Sequence, residues 1–313
     1  MKIAYNYCNI KNFGDQLNPL IFKHFTGFDI VADNPFFAEV IGIGSLFEGV
    51  LISDKNRLYS KNPLKVFSTG FGFDTDVYGK INREMRVFAV RGKLTLSKLK
   101  QMKNVDFVYN KTVIGDGGLL ASYLVDNNVA KVYELGIVPH YADKNNPLFQ
   151  KIHDACGGKS IILDPCAEPI EFLNNLMKCK AVISTAMHPL IACDALRIPN
   201  MWVRVSEKTT SRYKFHDYYS AFGVDKEPYD LSKGFGIDDI DLIYKQYNIT
   251  DEKVKDIQNK LINALQDIKS ELIADIDNIK FRRRKHVLTR LWIKFVCNFI
   301  PFKKVRSFLR GKY

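Results

Sequence analysis

Arg91, His188, Lys214 and Asp15 are the side chains whose types and neighbours suit the handling of an anionic substrate and a proton. Arg91 follows a strand-like run at residues 86–90 and opens a helix-like segment, where backbone amides and the helix dipole also favour anions. That context makes it a candidate phosphate or carboxylate clamp; the competing reading is an arginine at the start of a surface helix. His188 follows the strand-like residues 181–185 at their carboxyl end, the usual place for ligands in an open α/β sheet. It could bind a phosphate, carry a proton, or simply cap a helix. Lys214, with Arg212 nearby, could complete the anion site or belong to a solvated basic loop.

Asp15 stands in Asn12-Phe-Gly-Asp15, directly after the first strand-like run. A carboxylate there can face a cleft as acid, base or ligand, or only cap a helix starting at Gln16. Gly14, Gly42, Gly44 and Ser45 form turns through which backbone can approach a ligand, yet neither turn carries the full dinucleotide fingerprint. Nicotinamide cofactors are therefore not expected. His140 and Asp143 follow residues 133–138 at another strand end.

These side chains need a scaffold of strand ends and helix starts, and the sequence supplies one. Short apolar runs, polar or glycine turns and helix-like periodicity alternate through the first two thirds, the pattern of βα units on a parallel sheet. Strands are predicted at residues 3–7, 40–43, 65–69, 86–90 and 106–109, then at 133–138, 160–163, 181–185 and 201–205. Helices are predicted at 169–178 and 189–196. The glycine turn at 115–118 and the polar Asp126-Asn-Asn precede a fresh strand, so the division falls into 1–125 and 126–245. From Thr250, an N-cap candidate, one apolar stripe runs from Val254 to Ile279 and predicts a long packing helix over 250–280.

Lys and Arg number 46 against 34 Asp and Glu, a net charge of +12. Residues 281–313 hold eleven of the basic side chains and no acid, so the rest of the chain is close to neutral and nucleic acid is not the expected partner. Leu288, Leu291, Trp292, Phe295, Val296 and Phe299 fall on one helical face with Arg290 and Lys294 off it, and Pro301 stops the pattern. A basic amphipathic helix of this kind is expected to lie on an anionic membrane surface; a packing helix with a solvated cationic side is the alternative. The six cysteines show no zinc-ligand spacing and read as reduced core thiols, with no metal expected. Met1 leads straight into a strand and no apolar run approaches spanning length, so a cytoplasmic protein, peripheral at the inner face of the membrane, is expected.

Several segments carry a resemblance. Asn12-Phe-Gly-Asp-Gln-Leu-Asn-Pro19, Ile41-Gly-Ile-Gly-Ser45, Val90-Arg-Gly-Lys-Leu-Thr95, Gly115-Asp116, Gly136-Ile-Val-Pro-His-Tyr141, Val182-Ile-Ser-Thr-Ala-Met-His188 and Ile198-Pro-Asn200 resemble, in order and spacing, the blocks of bacterial polysaccharide pyruvyl transferases of exopolysaccharide and capsule synthesis. Lys214-Phe-His-Asp-Tyr-Tyr219 also resembles a family block. The resemblance implies two Rossmann-like domains facing a cleft, as in GT-B glycosyltransferases, with phosphoenolpyruvate as donor substrate and no other cofactor. It further implies a sugar acceptor, for which an undecaprenyl-diphosphate-linked oligosaccharide is expected. Ketal transfer needs cations for a carboxylate and a phosphate, an acid for the methylene carbon and a base for the sugar hydroxyl. Arg91, His188, Lys214, Arg212, Gly44 and Ser45 are then the donor side, Asp15, Asn12, His140 and Asp143 the acceptor side, and His188 and Asp15 the proton carriers. One departure stands out: the family commonly reads Ser-Leu-His-Gly, whereas this chain has Met187-His188-Pro189. A nucleotide-sugar glycosyltransferase of the same architecture is the rival enzyme, and a non-catalytic scaffold at the membrane surface is the rival of another class.

Overall fold

Strand and helix alternate along the chain as the periodicity predicts. The computed structural model describes residues 2–35, 37–52, 62–74, 83–110, 112–126, 128–206, 211–282, 284 and 288. The first sheet contains β1 (Lys2–Asn6), β2 (Asp29–Ala32), β3 (Val40–Ile41), β4 (Gly44–Ser45), β5 (Leu64–Gly70), β6 (Met85–Val90), β7 (Val105–Phe107) and β8 (Val113–Ile114). Its order is β2-β1-β3-β5-β6-β7, with β4 added on β5 and β8 on β6, and every pairing is parallel. Helices α1 (Phe13–Thr26), α2 (Phe47–Ile52) and α3 (Lys93–Lys100) connect these strands, and a 3-10 helix at Gly117–Leu124 closes this half.

The second sheet runs β10-β9-β11-β12-β13, again all parallel: β9 (Tyr133–Val138), β10 (Ser160–Ile162), β11 (Cys179–Ser184), β12 (Asn200–Arg204) and β13 (Tyr229–Asp230). With it come α4 (Pro147–Ala155), α5 (Pro169–Met177), α6 (Met187–Ala195), α7 (Tyr213–Ser220), α8 (Ile240–Gln246) and α9 (Asp251–Ala274). Both sheets are buried on their faces, so their strands read as continuous apolar runs rather than alternating ones. Residues 1–266 form one compact unit that holds both sheets, and residues 267–313 form a second, in which Arg282 pairs with Asp275 at 2.5 Å. The expected amphipathic helix of the tail lies outside the described residues. Among the described residues, no helix is long and apolar enough to cross a membrane.

Several contacts bind the two halves of the first unit. The Phe13 amide donates to the Pro165 carbonyl at 2.7 Å, and the Phe13 ring packs on Phe172 with centroids 4.3 Å apart. Within α9, Gln258 donates to the Leu119 carbonyl at 2.7 Å. The strongest tie is electrostatic. Arg91 Nε donates to Asp217 on α7 at 2.9 Å, and both side chains are fully buried. The arginine also donates to Ser45 Oγ at 2.8 Å and to the Phe71 carbonyl. Asp217 in turn accepts from the Thr95 amide at 2.9 Å and the Thr95 hydroxyl at 2.7 Å. Such a pair survives burial because its donors and lone pairs are taken up. Close approach is possible only because residue 92 is glycine: a Cβ there would stand 1.8 Å from the Asp217 carbonyl oxygen.

The surface-arginine reading of Arg91 is thus corrected: its partner is 126 residues away, and the ion pair holds it inside. Asp217→Ala, which strands the Arg91 charge, is expected to cost about 3–5 kcal/mol. The measurement is the urea midpoint at unchanged slope; a loss below about 1 kcal/mol would show that the halves are anchored elsewhere.

Candidate functional site

Asn12, not Asp15, caps α1: its side chain accepts from the Asp15 amide at 3.1 Å, and the helix begins at Phe13 rather than Gln16. Asp15 therefore sits in the first turn, where its carboxylate also accepts from the Asn12 side-chain amide. Pro19 lies four residues on and cannot donate to the Asp15 carbonyl, so Asn18 Nδ2 does so instead at 3.1 Å. The same Asn18 exchanges two hydrogen bonds with the Ile43 backbone, 3.0 and 2.8 Å long. That clamp fixes the turn carrying Gly44 and Ser45 against the start of α1.

His188 belongs to the first turn of α6, which begins at Met187 and is preceded by Ala186 as N-cap. Its ring packs closely against α1 at Gly14, where a Cβ would come within 2.0 Å of His188 Nδ1. His188 Nε2 is buried and has no hydrogen-bond partner among the described residues. Lys214 enters from the first turn of α7 and makes no hydrogen bond or ion pair among the described residues; its ammonium lies 5.6 Å from the Phe215 ring centroid.

These residues border one cavity of about 220 Å³. Asn12, Asp15, Gly44, Ser45, His140, His188 and Lys214 line it, so seven of the sequence candidates come together. Arg91, Arg212 and Asp143 are not on its wall. Arg91 stands behind Ser45, whose oxygen accepts from it, leaving the Ser45 hydroxyl proton available to a ligand. Arg212 is drawn to Glu227 at 3.3 Å. Asp143 accepts from Thr185 Oγ1 at 3.1 Å, while that hydroxyl accepts from the His140 amide at 2.8 Å, so Asp143 braces the turn that carries His140.

The starts of α1, α6 and α7 all meet this cavity, and the positive ends of their dipoles favour anions there. Burial, opposed by Asn12, Cys8 and Lys214, pushes the Asp15 carboxyl up to about 6. Burial and then the Arg91 charge pull the Lys214 ammonium down to about 8. His188 is held down at about 3 by burial first and then by Lys214, Arg91 and His140, and His140 at about 4 by burial and then Lys214. Near neutrality the empty cavity therefore presents an ammonium, a carboxylate and two uncharged imidazoles.

Three neighbours had no role in the sequence reading. Cys8 borders the cavity, and burial followed by the Asp15 carboxylate raises its thiol to about 11, so it is not a core thiol like the buried Cys156, Cys179 and Cys193. Tyr141 borders it too. Both follow the carboxyl end of a parallel strand, the signal that could have found them. Asp116 is buried and pushed up to about 6 by that burial; its Oδ1 accepts from the Gly118 amide at 2.8 Å and Oδ2 has no partner among the described residues. A Cβ on Gly118 would lie 3.0 Å from that Oδ1 and 3.8 Å from His188 Cδ2, so carboxyl, glycine and imidazole pack together. Among the described residues, no group of three or more His, Cys, Asp or Glu side chains is placed to hold a metal ion.

Residues 12–207 match the family model for polysaccharide pyruvyl transferase. The chain is 25% identical to the succinoglycan biosynthesis protein ExoV of Rhizobium meliloti (strain 1021) over 224 residues, 69% of this chain and 63% of that protein. It is 34% identical to the uncharacterized protein L143 of Acanthamoeba polyphaga mimivirus over 146 residues, 45% of this chain and 49% of that one. The chain thus spans between about half and just under two thirds of the length of these relatives. The span matched by the family model takes in Asn12, Asp15, Ser45, His140 and His188 and stops short of Lys214.

The lone ammonium gives the cavity a pH-dependent affinity for anions. Lys214 is charged below about 8 and neutral above it. Sulfate, which keeps its charge across this range, is expected to bind progressively more weakly as pH rises through that value, and Lys214→Met is expected to flatten the profile. Calorimetric titration measures both, and a flat profile in the unsubstituted protein would remove Lys214 from the anion site.

Proposed function

The chain belongs to the polysaccharide pyruvyl transferase family, and from that premise we propose that it transfers the pyruvyl group of phosphoenolpyruvate to a sugar of a surface glycan or its lipid-linked precursor, forming a pyruvate ketal. One observation carries the reading: a single cavity joins an ammonium without an internal partner, a carboxylate that titrates near 6 and an imidazole nitrogen without a partner. A dianionic donor and a proton-bearing acceptor are what such a set can serve.

In this proposal Lys214 holds the donor carboxylate, while the Ser45 hydroxyl and the start of α6 hold its phosphate. Arg91 adds positive potential from behind the wall. Burial first, and then the nearby cations, hold His188 neutral; in this proposal the charge of the bound dianion outweighs both, so the imidazole takes up a proton in the loaded site. It then delivers that proton to the methylene carbon as Asp15 takes one from the attacking sugar hydroxyl and the first bond to the ketal carbon forms. Asp15 returns its proton to the leaving phosphate, the carbon–oxygen bond to phosphate breaks, and a second hydroxyl closes the ketal with its proton passing to His188. Both side chains end as they began, and one phosphate is released for one ketal formed. The acceptor is proposed to be an undecaprenyl-diphosphate-linked oligosaccharide, met by a chain that residues 281–313 would hold at the inner membrane face.

Titration of the purified protein with phosphoenolpyruvate is expected to give saturable binding, and uridine and guanosine diphosphate sugars none. Asp15→Asn is expected to keep donor binding and lower turnover about 10²–10⁴-fold. In the unsubstituted enzyme kcat/KM should be bell-shaped, rising near 6 as Asp15 ionises and falling near 8 as Lys214 loses its charge. Binding of a nucleotide sugar alone would move the cavity to glycosyl transfer.

A further inference from the structure

Tyr141 adds an exposed aromatic side chain to the cavity wall. Tyr141 follows His140 in the turn after β9 and borders the same space as Asp15 and Lys214. Its side chain is 47% exposed, although it rests on the His140 ring with centroids 4.2 Å apart and a tilt of 35°. Among the described residues the Tyr141 hydroxyl has no hydrogen-bond partner, and the ring is positioned by its packing on His140. An aromatic face held in place and left in water gains most from a ligand that covers it with an apolar surface of its own size.

His140 supplies the polar half of such a contact. Its Nδ1 accepts from the Ala142 amide at 3.2 Å, which assigns the proton of the neutral ring to Nε2. The Thr185 hydroxyl receives the His140 amide and bonds Asp143, and this brace fixes the turn from beneath. A neutral N–H donor beside a flat apolar face suits a polyhydroxylated ring better than a phosphate.

We infer that Tyr141 and His140 form the subsite for the accepting sugar, a hexopyranose whose C–H face stacks on Tyr141 while one hydroxyl accepts from His140 Nε2 and a neighbouring hydroxyl reaches Asp15. This assignment rests on the pyruvyl-transfer reading for its substrate and makes Tyr141 a specificity-determining residue in place of a solvent-facing tyrosine of a turn.

Saturation-transfer NMR on the full chain with methyl β-D-galactopyranoside, methyl α-D-glucopyranoside and methyl α-D-mannopyranoside tests it, alongside calorimetry with phosphoenolpyruvate. At least one glycoside is expected to receive saturation at its ring C–H protons. Tyr141→Ala should weaken that binding about tenfold, and Tyr141→Phe should retain it, because the ring and not the hydroxyl makes the contact. Circular dichroism of both variants checks that they are folded. No transfer to any of the three glycosides, or equal binding by Tyr141→Ala, would overturn the subsite. Tyr141-dependent sugar binding without phosphoenolpyruvate binding would keep the subsite and sink pyruvyl transfer; donor binding without sugar binding would do the reverse.

Discussion

A buried charge must be answered where it lies, and the cavity inherits its shape from one such answer. Arg91 leaves β6 in the first sheet, Asp217 stands on α7 next to the second, and neither can turn to solvent. Because each would be costly alone, the approach of α7 to α3 is fixed within the tolerance of a hydrogen bond. That approach carries Lys214, three residues before Asp217, to the cavity wall, and the other end of the guanidinium holds Ser45. Two ligand-facing groups from distant parts of the chain are thus set by a third that faces no ligand at all.

The electrostatic character of the cavity follows from the same arrangement. Arg91 is neutralised by Asp217 at short range, yet it still depresses the affinity of Lys214 and His188 for protons. In a medium poorer than water in screening charge, a cation behind the wall acts on every group in front of it. Burial acts first and the cation adds to it, so both groups are held below their ordinary values, Lys214 at about 8 and His188 at about 3. Asp15 lies on the opposite edge of this balance: burial raises it, while Asn12, Cys8 and Lys214 lower it, and the outcome near 6 keeps it ionised but weakly so at neutral pH. The carboxyl is thus pushed up while the imidazole and ammonium are pulled down, the divergence that separate acid and base roles would need.

How far the sequence foretold this depends on the range of the forces involved. Runs such as residues 133–138 and 65–69 announced β9 and β5, because a strand buried on both faces needs β-branched and other apolar residues whatever surrounds it. The two-residue strands Gly44–Ser45 and Tyr229–Asp230 and the edge strand Asp29–Ala32 had no such signature, since their pairing is decided by their neighbours. Within the site, Asp15, Ser45, His140, His188 and Lys214 could be read from their places at strand ends and helix starts. The burial of Arg91 could not, because local context says nothing of a carboxylate 126 residues on. Arg212 misled for the opposite reason: two residues from Lys214 in sequence, it leaves the start of α7 toward Glu227 instead of the cavity.

The proline after His188 shows how a departure from pattern can be absorbed locally. In α6 it occupies the third position, and the first four amides of a helix have no partner within it, so the backbone loses no internal hydrogen bond by having proline there. What is lost is an N–H that would otherwise be open to a ligand, since Pro189 itself borders the cavity. The start of α6 then offers an anion fewer donors than a helix entrance usually does, although its dipole is unchanged. An anion bound there would depend more on side chains, and on the described wall Lys214 is the cation at neutral pH. A cavity with this proline therefore depends more heavily on the placement of one lysine, and so on the buried ion pair that brings α7 into position.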